Sequence, residues 1–253
     1  MADLFDQAPK PPAAQPGPRP LADRLRPATL AEVVGQDHIL GPDGPLTAMI
    51  AAGELSSLIF WGPPGVGKTT IARLLAHETH LAFEQISAIF TGVADLKKIF
   101  ESAKLRRQNG RGTLLFVDEI HRFNKAQQDG FLPHMEAGTI TLVGATTENP
   151  SFELNAAVLS RAQVMTLRPL DLGGLERLLG RAEALEGKQL PITPEARETL
   201  TEMADGDGRS LLNMAEQLFR ITDGPLDAQA MAARISRRAP IYDKSSDGHY
   251  NLI

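Results

Sequence analysis

The chain has 253 residues, 42% hydrophobic and 23% charged, with a formal net charge of −5 and no cysteine. This is enough apolar material for one or two domains with a buried core, and the missing cysteines exclude disulfides and thiolate-ligated zinc. No run approaches the ~18 apolar residues of a membrane span, no signal segment opens the chain, and the acidic balance leaves nucleic-acid contact to local basic faces or to an assembled oligomer.

Residues 1–20 carry Pro9, Pro11, Pro12, Pro16, Pro18 and Pro20 among alanines, which predicts a disordered or polyproline-like tail. Within it, Asp3-Leu4-Phe5-Asp6 reads as a chance apolar pair more readily than as a docking peptide. In the segment Leu25 to Gln36, Thr29 and Glu32 have capping-box spacing, which predicts a short helix ending near Gly35.

An apolar strand, Leu58–Trp61, then meets Gly62-Pro63-Pro64-Gly65-Val66-Gly67-Lys68-Thr69-Thr70, and helical periodicity follows from Ile71. The pattern G-x-x-x-x-G-K-[ST] between a strand and a helix is a phosphate loop. Its glycines let successive backbone N–H groups turn toward one anion, and the helix N-terminus adds partial positive charge. Lys68 is expected on the β- and γ-phosphates and the Thr69 hydroxyl on Mg²⁺. A nucleotide and Mg²⁺ are therefore the predicted ligands, the nucleotide being ATP by the resemblance described below.

Phe83–Ile86 reads as a second strand and residues 94–108 as a helix with Leu96, Ile99, Phe100 and Ala103 inward. That helix and its exit carry Lys97, Lys98, Lys104, Arg106, Arg107 and Arg111 against Asp95 and Glu101. Such a run serves either as a solvated face or as a contact for nucleic-acid phosphates. Thr113–Asp118 is apolar on both faces, as a central parallel strand must be, and ends in Asp118-Glu119. Asp118 is expected to meet Mg²⁺ and Glu119 the attacking water. Asp118-Glu119-Ile120-His121 also fits the D-E-x-H pattern of two-lobed helicases, but only helical pattern follows residue 170, which excludes their second sheet.

Asn124 is the predicted cap of a helix reaching about Glu136, and Thr139–Ala145 is a further buried strand. Pro150 holds Asn149 in extended geometry, suiting a strand-end amide aimed into a cleft. A short helix at Asn155–Leu159 leads to Ser160-Arg161 and a strand at Val164–Leu167. From Pro169 onward three apolar stripes predict a helical lid domain at 169–238, after an α/β domain at 21–168. Arg209 opens the third of those helices, and residues 239–253 read as a linker.

In order and spacing these features resemble the AAA+ ATPases: the phosphate loop resembles Walker A, Leu114–Glu119 Walker B, Thr146–Asn149 sensor 1, Ser160-Arg161 the arginine finger, and Gly206-Asp207-Gly208-Arg209 sensor 2. Phe116–Asp129 and Gly144–Asn155 are similar, more narrowly, to the replication-associated recombination protein A family (RarA or MgsA). The resemblance implies a central parallel sheet with a helical lid and a cytoplasmic, nucleoid-associated, DNA-dependent ATPase at stalled or gapped replication forks. Clamp-loader subunits share the motifs, and an ATP-gated scaffold remains an alternative. By resemblance, Arg26, Val34 and Gln36 bracket the adenine, Asn149 positions the water, Arg161 reaches a neighbour's ATP and Arg209 senses the γ-phosphate. Forked, gapped or single-stranded DNA, single-stranded-DNA-binding protein and the sliding clamp are the implied partners, with no membrane. The family's tetramer forms through a further C-terminal domain, without which this chain is expected to be monomeric or weakly associating.

Overall fold

A computed structural model describes residues 19–236. The Asp3–Asp6 pair, all of the predicted tail except Arg19 and Pro20, and the predicted linker 239–253 lie outside the described residues.

Five strands form one parallel sheet: β1 (Leu58–Trp61), β2 (Ala82–Ser87), β3 (Thr113–Asp118), β4 (Ile140–Thr146) and β5 (Gln163–Thr166), in the order β2-β3-β4-β1-β5. Leu114, Leu115, Phe116 and Val117 of β3 are fully buried, because helices cover both faces of a parallel sheet. Burial of such side chains contributes about 1.5–3 kcal/mol each. β1 lies between β4 and β5, so the chain leaves it in one direction and returns on the other side. Ligands bind beyond the strand carboxyl ends at such a point, and there the phosphate loop, Asp118-Glu119 and Thr146-Thr147 emerge.

Helix α1 (Lys68–Glu78) leaves the phosphate loop and buries Ile71, Ala72, Leu74, Leu75 and Ala76. Helix α2 (Val93–Gln108) buries Leu96, Phe100 and Ala103 through the spacing the sequence predicts. The predicted Asn124 cap forms with Gln127 as its reciprocal partner, but the helix is broken into Lys125–Asp129 and Leu132–Glu136 at Gly130-Phe131. The predicted helix after Thr29 is only a single 3-10 turn, Leu30–Glu32. Glu32 there accepts from the Ala28 N–H and the Thr29 hydroxyl, so the two capping partners bind each other and not the helix end.

Beyond β5 come α3 (Leu172–Glu186), α4 (Pro194–Ala204), α5 (Gly208–Leu218) and α6 (Ala228–Ser236). Asp171, Thr193 and Asp207 cap the first three through Gly174, Ala196 and Ser210 N–H groups, each cap contributing about 1 kcal/mol. These helices enclose a separate core of Leu175, Leu179, Leu200, Leu211, Leu218 and Met231, which Leu21 joins from the start of the described chain. Helix α6 is additional to the three predicted stripes.

Candidate nucleotide site

Gly65 and Gly67 have φ of +69° and +101°, the left-handed backbone that turns successive N–H groups of the phosphate loop inward. Residues Pro64 through Thr70 line one pocket at the carboxyl end of the sheet, together with Asp118, Glu119, Thr147 and Arg209. Lys68 lies across the loop, its Nζ donating to the Gly62 carbonyl at 2.6 Å and the Pro63 carbonyl at 2.7 Å. Gly62 and Pro63 thus bind the lysine and do not line the pocket. Burial holds the Lys68 ammonium below the ordinary lysine pKa; Glu119 and Asp118 oppose that shift and Arg209 adds to it. A cation disfavoured mainly by desolvation gains from a phosphate placed beside it.

The other end of the pocket is apolar. Leu25, Val33 and Val34 contribute one wall, and Leu170, Leu178 and Leu212 from the helical end contribute another. Arg26 and Pro27 complete the rim. A flat heterocycle between such walls and a polyphosphate on the loop fit this division. Thr69 and Asp118 suit Mg²⁺, which takes one or two protein oxygens and completes its octahedron with water and phosphate oxygens. Among the described residues no group of three His, Asp or Glu side chains forms an all-protein metal site.

Glu119 has φ of +52°, uncommon for a side chain of this kind, and turns the chain from β3 into the 3-10 turn Ile120–Arg122. Backbone held in this region costs on the order of 1–3 kcal/mol and concentrates at functional sites. The turn brings the half-buried Glu119 to the pocket beside Asp118.

Three predicted site residues stand elsewhere. Gln36 is fully buried, and its amide donates to the Arg168 carbonyl and accepts from the Arg168 N–H. It fastens β5's exit to the N-terminal segment, leaving nothing for an adenine. Asn149 accepts from the Ser151 N–H through its Oδ1 and caps the short helix Pro150–Glu153; Thr147, which the sequence reading passed over, lines the pocket from the same strand end. Arg161 lies outside the pocket, exposed and paired with Glu136 at 2.7 Å.

A phosphate loop after β1, two acids ending β3 on the far side of β4, and an arginine from a helical lid define a P-loop ATPase of the AAA class. Residues 58–170 match the family described as "ATPase family associated with various cellular activities (AAA)", and residues 186–253 match the AAA C-terminal domain. The chain is similar to replication-associated recombination protein A of Escherichia coli, 43% identical over 246 residues that cover 93% of this chain and 55% of the relative. The Coxiella burnetii protein of that name is 45% identical over 249 residues, with 92% and 55% coverage. Among solved structures, the Thermotoga maritima RuvB Holliday junction branch migration motor superposes with a TM-score of 0.68 at 27% identity, covering 84% of this chain and 72% of that one. The chain belongs to the AAA ATPases and, within them, to the replication-associated recombination protein A family. It spans about half the length of the curated relatives it matches.

Proposed function

We propose that this chain binds and hydrolyses ATP with Mg²⁺, and that the cycle serves DNA at stalled or gapped replication forks. The observation that carries the reading is the convergence of Lys68, Thr69, Asp118, Glu119 and Arg209 on one pocket. Pro64 to Thr70 hold the polyphosphate: backbone N–H groups and Lys68 contact the β- and γ-phosphates, while Thr69 and Asp118 hold the metal. Bound there, the metal supplies charge neutralisation of the phosphates. Glu119 orients the attacking water and takes its proton. Thr147 contributes a hydroxyl at the γ-phosphate end, a role expected from the sequence at Asn149. Arg209 reports the nucleotide to the helical domain, 169–238, and Arg161 acts on the nucleotide of a neighbouring chain.

The DNA reading is supported by the relatives' association with replication-associated recombination and by helix α2. Lys97, Lys98, Lys104, Arg107 and Arg111 are exposed there, and Phe90 in the preceding loop is 86% exposed. Only Arg106 of that run is drawn inward, onto Glu84 at 2.8 Å. Exposed cations along a helix and an exposed aromatic ring in the loop before it suit a single strand, whose phosphates and bases they contact respectively. A cytoplasmic, nucleoid-associated location and homo-tetramers of the longer protein, with single-stranded-DNA-binding protein or the sliding clamp as partners, complete the proposal.

Steady-state ATP hydrolysis with and without forked or gapped DNA tests it. Stimulation by DNA supports the reading. Hydrolysis that no DNA structure stimulates, in this chain and in one extended toward the relatives' full length, contradicts the DNA half and favours an ATP-gated scaffold.

A further inference from the structure

The fourth position of the D-E-x-H run, His121, is absorbed by neither the phosphate chemistry nor the apolar core. Its side chain is only 6% exposed, and its Nε2 stands 3.4 Å from Glu119 Oε2. On the other side of the ring, Nδ1 is 2.9 Å from the hydroxyl oxygen of Thr146, a fully buried residue at the end of β4. The Thr146 oxygen already accepts the Glu148 N–H at 3.0 Å, which leaves its own proton to donate. Its nearer acceptor is His121 Nδ1, since the Glu148 carbonyl is 3.3 Å away. A donated proton at Nδ1 fixes the neutral ring as the tautomer protonated on Nε2, the nitrogen that faces Glu119. The next residue, Thr147, lines the nucleotide pocket.

We propose that His121 is a positioning residue for ATP hydrolysis: tied to β4 through Thr146, its Nε2–H holds the Glu119 carboxylate in the aim required for the attacking water. The 3.4 Å contact is loose, as catalytic contacts often are before substrate binds, and it tightens when the terminal phosphate engages Thr147. The strained backbone at Glu119 leaves that carboxylate in need of a restraint, and buried imidazole on a buried hydroxyl supplies one. This inference rests on the ATP-hydrolysis reading.

The test measures kcat and the affinity for a fluorescent ATP analogue in H121F, which keeps the ring's bulk; in T146V, which keeps the shape and removes the hydroxyl; and in the double variant. A misaimed base costs roughly tenfold to a hundredfold in kcat. H121F is expected to lose that much with analogue affinity unchanged within about twofold, and T146V to lose less. H121F/T146V is expected to be no slower than H121F, because both act through one nitrogen pair. In single turnover, H121F is expected to have no further effect in the E119Q background. H121Q, which offers an amide N–H at similar reach, is expected to recover part of the rate.

Wild-type kcat in H121F overturns the proposal, as does a loss of analogue affinity equal to the loss of rate. Multiplying losses in the double variant, or an undiminished H121F effect in E119Q, also overturns it. An unsubstituted chain that binds the analogue and never hydrolyses ATP overturns the hydrolysis reading, and this inference with it. That result is distinct, because it is seen before any substitution is made.

Discussion

The Asp207 carboxylate occupies the space that a side chain on Gly65 would need: a Cβ at Gly65 would lie 1.7 Å from Asp207 Oδ1. The helical end of the molecule thereby seats directly on the phosphate loop, and a Cβ at Gly208 would lie 3.4 Å from the Gly65 carbonyl oxygen. Gly65→Ala is strained twice, by its φ of +69° and by this contact. The variant is expected to lose about 1–3 kcal/mol in denaturant unfolding and most of its nucleotide affinity. Asp207→Ala gives up the cap on Ser210 N–H, about 1 kcal/mol, yet it makes room at Gly65. The double variant is therefore expected to be more stable than the sum of the two losses implies.

Lys68 illustrates a site whose stability and function oppose each other. Its ammonium is buried against two carbonyls with its pKa held down, so the folded state gains by losing the charge. Lys68→Met is expected to raise or preserve the thermal midpoint of the nucleotide-free protein. It is also expected to abolish the stabilisation by ATP, about 2.7 kcal/mol for the parent chain when ATP is a hundredfold above Kd. Thermal scans with and without ATP read both effects.

His134 stacks on Phe100 with ring centroids 3.9 Å apart, and burial, then Lys104, lowers its pKa below the ordinary histidine value. A lowered folded-state pKa means that the unfolded chain binds more protons as the pH falls through about 6.5. Stability is therefore complete above that value and is lost progressively as the pH drops through it toward the folded pKa. Denaturant midpoints measured across this range are expected to fall with pH in the parent chain. In His134→Phe, which retains the stack, this component of the slope is expected to disappear.

The cations of α2 give a measurable signature. Replacing Lys97, Lys98 and Arg107 by Ala is expected to weaken single-stranded-DNA binding and to flatten log K against log salt by ~0.7 for each phosphate left without its cation. The same variant is expected to unfold as the parent does, because these side chains are exposed. An unchanged slope returns the helix to a solvated face.

Much of this was legible in the chain wherever one residue type is demanded by backbone geometry. Gly65 and Gly67 both have the positive φ that the phosphate loop requires, and β3, apolar at every position from Leu114 to Val117, is buried on both faces. Strand ends were less legible. The sequence reading placed the cleft-facing side chain at Asn149, but β4 ends at Thr146 and Thr147 reaches the pocket first, leaving Asn149 to cap the next helix. Gln36 was placed at the adenine by resemblance alone, and its actual partner, the Arg168 backbone 132 residues away, leaves no mark in the sequence. Helix α6 escaped notice because its buried Met231 and Ile235 are separated by small or polar residues that make no stripe. Leu178 and Leu212 fell in stripes read only as lid core, although with Leu170 they wall the pocket, since helical periodicity does not say which stripe faces a ligand.

The most direct test of the account is ATP turnover per subunit as a function of protein concentration, in the parent chain and in Arg161→Ala. Arg161 stands outside its own pocket and an arginine finger contributes roughly 10³ to 10⁵ in rate. The account predicts a slow rate in dilute solution that climbs with concentration in the parent and stays flat in the variant. A rate already fast in dilute solution, and insensitive to Arg161→Ala, would contradict a shared site and leave each chain hydrolysing ATP alone.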